Sequence, residues 1–526
     1  MSAVAPGGAV ADRSGRLAAL AASSWTTLGL IAIAIGQQLL GHLDCDVSWF
    51  ITFAEKFVDG AVPYVDVTDP NPPAAFLVMT PAILLARVFG VAAEPVVAAL
   101  VFVFALLSLA ASALILRRSG PRAPEDRRLL LNVAVFLLLV APALVFAERE
   151  HLALLALTPM LATFAALAEG GRVAWPLRIV AGLGAGLAIC FKPFFALAVG
   201  LPALALAYRE RSLRPLMTAE MATAVAFCGA YGVATILMFP AYAQYALPVI
   251  ADVYQPARES FANLAFRTLA PFNIVLLAAF FSAAAQALTP PVAPGFAAPA
   301  SARVCAYAST GFLASFFLQG KGWMNHAYPG IVLALLAWLL LTLDSHPTAR
   351  AAREGSLFKF VFLPALIAAP FQFGAARVLA DVEEHPGLRA EIARVGPAHP
   401  RLIAMARQLD YGHPATRQLG GVWVGRPNAL WVASFAGHLL GGGADPARRA
   451  RLENYRRRDL AGFAEDVRLG KPDVIIVEDE ETRDWVLKQP ESASVLEGYE
   501  KAGKAGDIEL WVRRTSDGVA RAPAPT

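Results

Sequence analysis

Apolar stretches close to 20 residues long recur along this 526-residue chain, and arginines gather in the short segments between them. As a helix, a stretch of about 20 residues spans ~30 Å, the thickness of bilayer hydrocarbon. Within a bilayer every backbone N–H and C=O must be satisfied inside its own segment, so such stretches fold as helices. The composition agrees, with 57% apolar and 16% charged residues, where a soluble chain carries about 25% charged residues. The alternative, a soluble protein with a large buried helical core, is disfavoured by the same figures. The formal net charge of +4 is small. The arginines flank the apolar stretches, the pattern of cytoplasmic loops, and form no patch for nucleic acid.

Reading apolar stretches against arginine runs gives expected spans at 17–40, 93–116, 129–147, 151–168, 177–190, 194–208, 216–239, 266–288, 303–318, 327–343 and 357–375. The inside is fixed by Arg117, Arg118, Arg122, Arg127 and Arg128, then by Arg172 and Arg178, by Arg209, Arg211 and Arg214, and by Arg350 and Arg353. Residues 74–90 resemble a further span, but a full crossing there would carry the Arg117–Arg128 run outside. That segment is short, contains Pro81 and ends at Arg87, so it is expected to lie in the membrane plane or to insert partway. The first apolar stretch is too long for a signal-peptide core and is read as an uncleaved helix.

The expected fold is therefore a polytopic α-helical membrane protein with about 11 transmembrane helices and in-plane juxtamembrane helices in the first outer loop. Its N-terminus lies on the inner, arginine-rich side. Residues 1–378 form the membrane domain, with 41–92 as the first outer loop. Residues 379–515 are expected to form a small α/β domain on the outer side, and 516–526 a disordered tail. In the α/β domain, PDVIIVED (472–479) reads as a buried strand and DEETRDWVLKQP (478–489) as the helix after it. DIELWVRR (507–514) alternates like an edge strand, and the arginine-rich ADPARRARLENYRRRDLAGFAEDVRL reads as a helix. The four cysteines fit no zinc spacing; Cys190, Cys228 and Cys305 read as small apolar residues in helices, and Cys45 as incidental.

On this topology the ionisable clusters of the membrane part face one compartment. Asp44 and Asp46 leave the first span as an Asp-x-Asp pair. They could share a metal ion, or one could take a proton from a hydroxyl nucleophile, or the pair simply begins a solvated loop. Asp66 and Asp69 follow in a proline-rich stretch with Tyr64, where fixed backbone angles favour an ordered loop. Glu148-Arg149-Glu150-His151 interrupts two apolar spans, either as a functional group of residues or as an anchored turn with an Arg–Glu pair. Lys192 sits at the tip of an apolar hairpin and must either snorkel or meet an anion. Lys321, between Gly320 and Gly322, precedes Trp323 and His326 at another break. Tyr254 and Arg258 lie in an aromatic outer loop that could cover a substrate.

The order of these pieces resembles the GT-C superfamily of integral-membrane glycosyltransferases, and most of all the bacterial relatives of protein O-mannosyltransferases and of lipid A aminoarabinose transferases. The resemblance rests on an acidic residue after the first span (Asp44, with Asp46) and on Tyr64, Asp66, Asp69 and Asn71–Pro73 ahead of an in-plane helix ending in Phe89-Gly90. A Lys192-Pro193 hairpin tip and the C-terminal domain complete it. The resemblance implies transfer of a sugar, with inversion, from a polyprenyl-phosphate carrier to an acceptor hydroxyl on a glycan, lipid or protein at the periplasmic face of a bacterial inner membrane, with a cytoplasmic N-terminus and a periplasmic C-terminal domain. It casts Asp44, or else Asp46, as general base. Lys192, Arg149, Lys321 and His326 become candidates for the donor phosphate. Tyr64, Asp66, Asp69, Glu148, Glu150, His151, Trp323, Tyr254 and Arg258 become candidates for sugar and acceptor. No cofactor is expected; Asp44 and Asp46 are the pair that would hold a divalent metal if one were used.

Three other readings compete with this one. A transporter or flippase of lipid-linked sugar normally shows internal repeats with a midplane site, and no repeat is visible here. A non-catalytic assembly protein for envelope glycans leaves Lys192 and Glu148–His151 without a purpose. A glycan polymerase or ligase would place its large arginine-rich outer loop between late spans, whereas the first large loop here follows the first span.

Overall fold

The computed structural model describes residues 23–41, 43–117, 124–268, 300–343, 385–443 and 445–514. In chain order its main helices are α1 (Ser24–Leu40), α2 (Cys45–Val58), α3 (Ala74–Leu77), α4 (Thr80–Phe89), α5 (Ala93–Leu116), α6 (Pro124–Val135), α7 (Arg149–Ala168), α8 (Trp175–Phe191) and α9 (Ala196–Glu210). They continue with α10 (Ala219–Met238), α11 (Ala300–Gln319), α12 (Met324–Leu343), α13 (Leu388–Val395), α14 (Trp431–Gly441), α15 (Pro446–Gly470) and α16 (Glu480–Leu487). The strands are β1 (Arg401–Met405), β2 (Val422–Trp423), β3 (Val474–Val477), β4 (Tyr499–Ala505) and β5 (Ile508–Arg513).

Among the described residues three helices, α5, α7 and α10, are long and apolar enough to cross a membrane, and a fourth span results if α1 and α2, bent by 69°, are one broken span. Helices occupy nine of the expected spans, while the one at 357–375, nearly all of 266–288 and the tail 516–526 lie outside the described residues. The stretch expected as one span at 129–147 is broken. Helix α6 passes into a π-helical turn at Phe136–Val140 and a 3-10 turn at Ala143–Val145. The segment expected in the membrane plane is two pieces, α3 and α4, and α4 ends on Gly90 in the left-handed region.

The chain divides into two compact units. The first comprises Met1–Gly41, Ala98–Gly229 and Ser260–Ala380. Helix α7 is its centre, buried almost all round, and packs on α8, α11 and α12. Two glycines set the close approaches. A Cβ on Gly184 of α8 would come within 2.1 Å of the Ala156 carbonyl of α7, and one on Gly311 of α11 within 2.5 Å of the Leu197 carbonyl of α9. Helix backbones meet this closely in apolar surroundings only across small residues. Val103, Leu106, Leu107 and Leu114 on α5 remain exposed, a surface suited to lipid tails.

The second unit comprises His42–Val97, Ala230–Glu259 and Asp381–Thr526. The first outer loop therefore shares a unit with the C-terminal sheet. Arg417 binds both Glu55 of α2 and Glu94 at the start of α5. The ammonium of Lys56 donates to the Gly425 carbonyl at 2.8 Å, and Arg451 pairs with Asp252 at 3.2 Å. The sheet order is β2-β1-β3-β5-β4, with β1 parallel to β2 and β3, and with β5 antiparallel to β3 and β4. β3, read as buried, is fully so. β5 was expected at an edge and is instead an inner strand. Its polar alternation misleads because Glu509 is buried and neutralised in place by Arg483 and Lys501.

Candidate functional site

The two aspartate-rich and lysine-rich regions fall in different units and differ in construction. In the first unit four helix ends meet. Glu150 lies in the first turn of α7, Lys192 directly follows α8, Gln319 is the last residue of α11 and His326 lies in the first turn of α12. The Lys192 ammonium donates to Glu150 Oε1, to Gln319 Oε1 at 2.9 Å and to His326 Nε2 at 2.7 Å. These three bonds match the three N–H groups of a lysine. An ammonium has no acceptor, so Nε2 of His326 must be the unprotonated nitrogen and Nδ1 carries the hydrogen. That Nδ1 is buried and has no hydrogen-bond partner among the described residues. Arg149 and Lys321 also act electrostatically on His326. Lys192, Arg149, Lys321 and Glu150 all act on it, and all of these side chains are buried.

Local backbone explains how the group is presented. Gly320 and Gly322 flank Lys321 with φ of 66° and 72°, left-handed angles that a glycine adopts without a Cβ clash. Ala147 adopts φ 66° just before Glu148, and its N–H donates to Nδ1 of His151 at 3.1 Å. The other nitrogen of His151 then carries the hydrogen and donates to the Leu138 carbonyl at 2.7 Å. Both ring nitrogens of His151, expected as a sugar contact, are therefore occupied by backbone. Glu148 is buried in the same turn, and Trp323 stands partly exposed with its ring 5.2 Å from that of His326. Gln319 was not among the expected site residues; a lone amide at the end of an apolar helix carries no charge to signal it.

In the second unit the aspartates mainly shape the chain. Asp44 is the N-cap of α2, accepting the Asp46 N–H at 3.0 Å, and Asp46 occupies the first turn. Asp66 accepts the Val62 N–H at 2.8 Å on an exposed turn. Asp69 is buried, with Oδ2 accepting from Trp49 Nε1 at 2.8 Å and Oδ1 accepting two bonds from Asn71 at 2.7 Å. Tyr64, at φ 65°, donates to the Asn71 carbonyl at 2.7 Å and packs among Phe53, Phe76 and Tyr242. Burial, reinforced by Asp69 and neighbouring tyrosines, pushes its phenol well up. Tyr254 packs on Trp431 and Phe435, and Arg258 is exposed. Trp49 packs against His413, whose imidazole is held at about 3 by burial, with Arg417 and Lys56 adding to the effect. Among the described residues no three His, Cys, Asp or Glu side chains converge as a metal site.

These features define a mostly helical chain with helices long and apolar enough to cross a membrane, a buried ionic cluster where helix ends meet in the first unit, and a small mixed sheet in the second. No family model matches the chain, and no curated protein matches it. Among solved structures it is similar to the crystal structure of ArnT from Cupriavidus metallidurans in the apo state, at 14% identity and a TM-score of 0.48, over 95% of this chain and 99% of that one. At that level the likeness assigns no residue, substrate or activity to this chain.

Proposed function

We propose that the chain is a membrane glycosyltransferase of GT-C type that moves a sugar from a polyprenyl-phosphate donor to an acceptor hydroxyl at the periplasmic face. The observation that carries this reading is the buried cationic group around His326, with an imidazole N–H that meets no acceptor among the described residues. A lipid phosphate offers that N–H an acceptor oxygen and adds negative charge beside the cations. Lys192 spends its three N–H groups on Glu150, Gln319 and His326. It contributes charge and holds His326 in the tautomer that donates. Arg149, Lys321 and the Nδ1–H of His326 are assigned direct contact with phosphate oxygens.

In the reaction the acceptor hydroxyl gives its proton to a carboxylate, assigned to Asp44 with Asp46 as the substitute. The acceptor oxygen attacks the anomeric carbon from the face opposite the phosphate. The carbon–oxygen bond to phosphate breaks, and configuration inverts. The leaving phosphate gains negative charge, and fixed cations in a water-poor site stabilise it more than water can. Glu148 and Glu150 are placed beside the phosphate rather than on the sugar, and no metal is assigned a role.

The test is mass spectrometry of lipid retained by the purified full chain. A polyprenyl phosphate or its sugar conjugate is expected, and Arg149→Gln with Lys321→Gln should deplete it. Retention of ordinary phospholipids alone, unchanged by those substitutions, would refute the reading. Asp44→Asn should abolish transfer while donor retention persists; full turnover in that variant moves the base to Asp46 or removes the mechanism.

A further inference from the structure

We infer that the sheet of the second unit carries a binding pocket for an acidic sugar, a pyranose bearing a carboxylate or a phosphate. The connection after β1 runs to β2 on one side, and the connection after β3 leads to β4 and β5 on the other. The carboxyl ends of neighbouring parallel strands β1 and β3 therefore flank a topological switch point, where open α/β sheets bind ligands. A cavity of ≈ 370 Å³ opens beside it, lined by Arg407 from the end of β1, Glu481, Thr482 and Trp485 of α16, His438 of α14 and Arg456 of α15. That volume falls in the ~300–1,000 Å³ range of small-molecule pockets.

The lining chemistry selects the ligand class. Thr482 is 2% exposed, yet its hydroxyl has no partner among the described residues, and neither has Nε of Arg456. Buried polar atoms normally find partners, so a hydroxylated ligand satisfies both. Arg407 is held at the rim by Glu478, at 2.7 and 3.0 Å, and by Asp479 at 3.3 Å. Its charge is thereby matched within the protein. Arg456 forms no such pair among the described residues, and a guanidinium grips carboxylate or phosphate through paired N–H donors. Glu481, the one carboxylate on the lining, is exposed. Trp485 contributes an indole, large and amphipathic, on which the C–H face of a sugar ring can lie.

The inference does not depend on the transferase reading, because it concerns binding alone. It is tested by saturation-transfer difference NMR on the full chain in nanodiscs, titrated separately with D-glucuronate, D-glucose 6-phosphate and D-glucose. At least one acidic probe should bind roughly tenfold or more tightly than glucose, the effect of one hydrogen bond to a charged group. The two acidic arms tell carboxylate from phosphate. Arg456→Gln, on a half-exposed helix position, should erase the preference for the acid, and Trp485→Ala should erase the sugar response, with unchanged melting temperatures in both. No response to any probe into the tens of millimolar overturns the inference. So does an acid preference that survives Arg456→Gln.

Discussion

The charged groups gathered at Lys192 in the first unit bond to partners far away in the chain, whereas the aspartates between residues 44 and 69 of the second bond mostly to their own neighbourhood. Lys192 reaches Glu150, Gln319 and His326, which are 42, 127 and 134 residues distant. Asp44 bonds two residues on, Asp66 four residues back, and Asp69 both two residues on and 20 residues back, to Trp49. Short-range carboxylate bonds are the means by which caps and turns are made. Long-range bonds among buried charges are expensive to assemble and need a further reason to persist. A dense run of aspartates is therefore weaker evidence for a site than a few charges drawn together from separate helices.

The largest test of that difference is Lys192→Met. It leaves Glu150 fully buried without its ammonium, a change that typically costs about 3–5 kcal/mol. Replacing both partners, as Lys192→Met with Glu150→Gln, should recover much of the loss. Unfolding monitored in detergent checks both, and a single variant as stable as the double would show that the pair is not under the strain of burial. Next comes Asp69→Ala, which strands the Trp49 N–H and the Asn71 donors; about 2–3 kcal/mol is expected, against roughly 0.5 kcal/mol or less for Asp66→Ala on its exposed turn. Equal losses for the two would break the distinction drawn between buried and exposed aspartates.

The third test uses acid. His413 packs against Trp49, which in turn donates to Asp69, and its imidazole is held at about 3 by burial, with Arg417 and Lys56 adding. An unfolded histidine protonates near ~6.5. Below that pH the unfolded chain binds a proton that the folded chain refuses. Stability is thus full above roughly 6.5 and falls as the pH drops toward 3, by at most ~1.4 kcal/mol per pH unit. His413→Gln should flatten this slope relative to wild type; an identical slope in the variant would remove His413 as the acid-sensitive anchor.

Much of the first unit was legible because charge inside an apolar stretch is costly, so Glu148–His151, Lys192, Lys321 and His326 stood out. Their partners were not legible, since pairing depends on which helix ends meet. Gln319 bore no charge to betray it, and His151 read as a substrate contact although backbone claims both of its nitrogens. Residues 42–97 and 230–259 group with Asp381–Thr526 through contacts such as Arg417–Glu55 and Arg451–Asp252, more than 190 positions apart. No local pattern announces such pairings. The β5 reading failed for the same reason: the charge on Glu509 looked solvent-facing because its partner Arg483 lies on another element.

The smallest effect is the most discriminating. Asp44 caps α2, so one carboxylate serves the local role seen in its neighbours and is also assigned the chemistry. Asparagine caps a helix about as well as aspartate, while alanine costs about 1 kcal/mol. Stability should therefore run with Asp44→Asn near wild type and Asp44→Ala about 1 kcal/mol below it. A general base follows a different order, because an amide cannot take up the proton that a carboxylate accepts at neutral pH. Turnover should then be equally lost in both variants. If turnover instead tracks the unfolding midpoints, with Asp44→Asn active and Asp44→Ala impaired, Asp44 is a cap and nothing more. Asp44 would then be architectural like Asp66 and Asp69 beside it, and the contrast with the cluster around Lys192 would be complete.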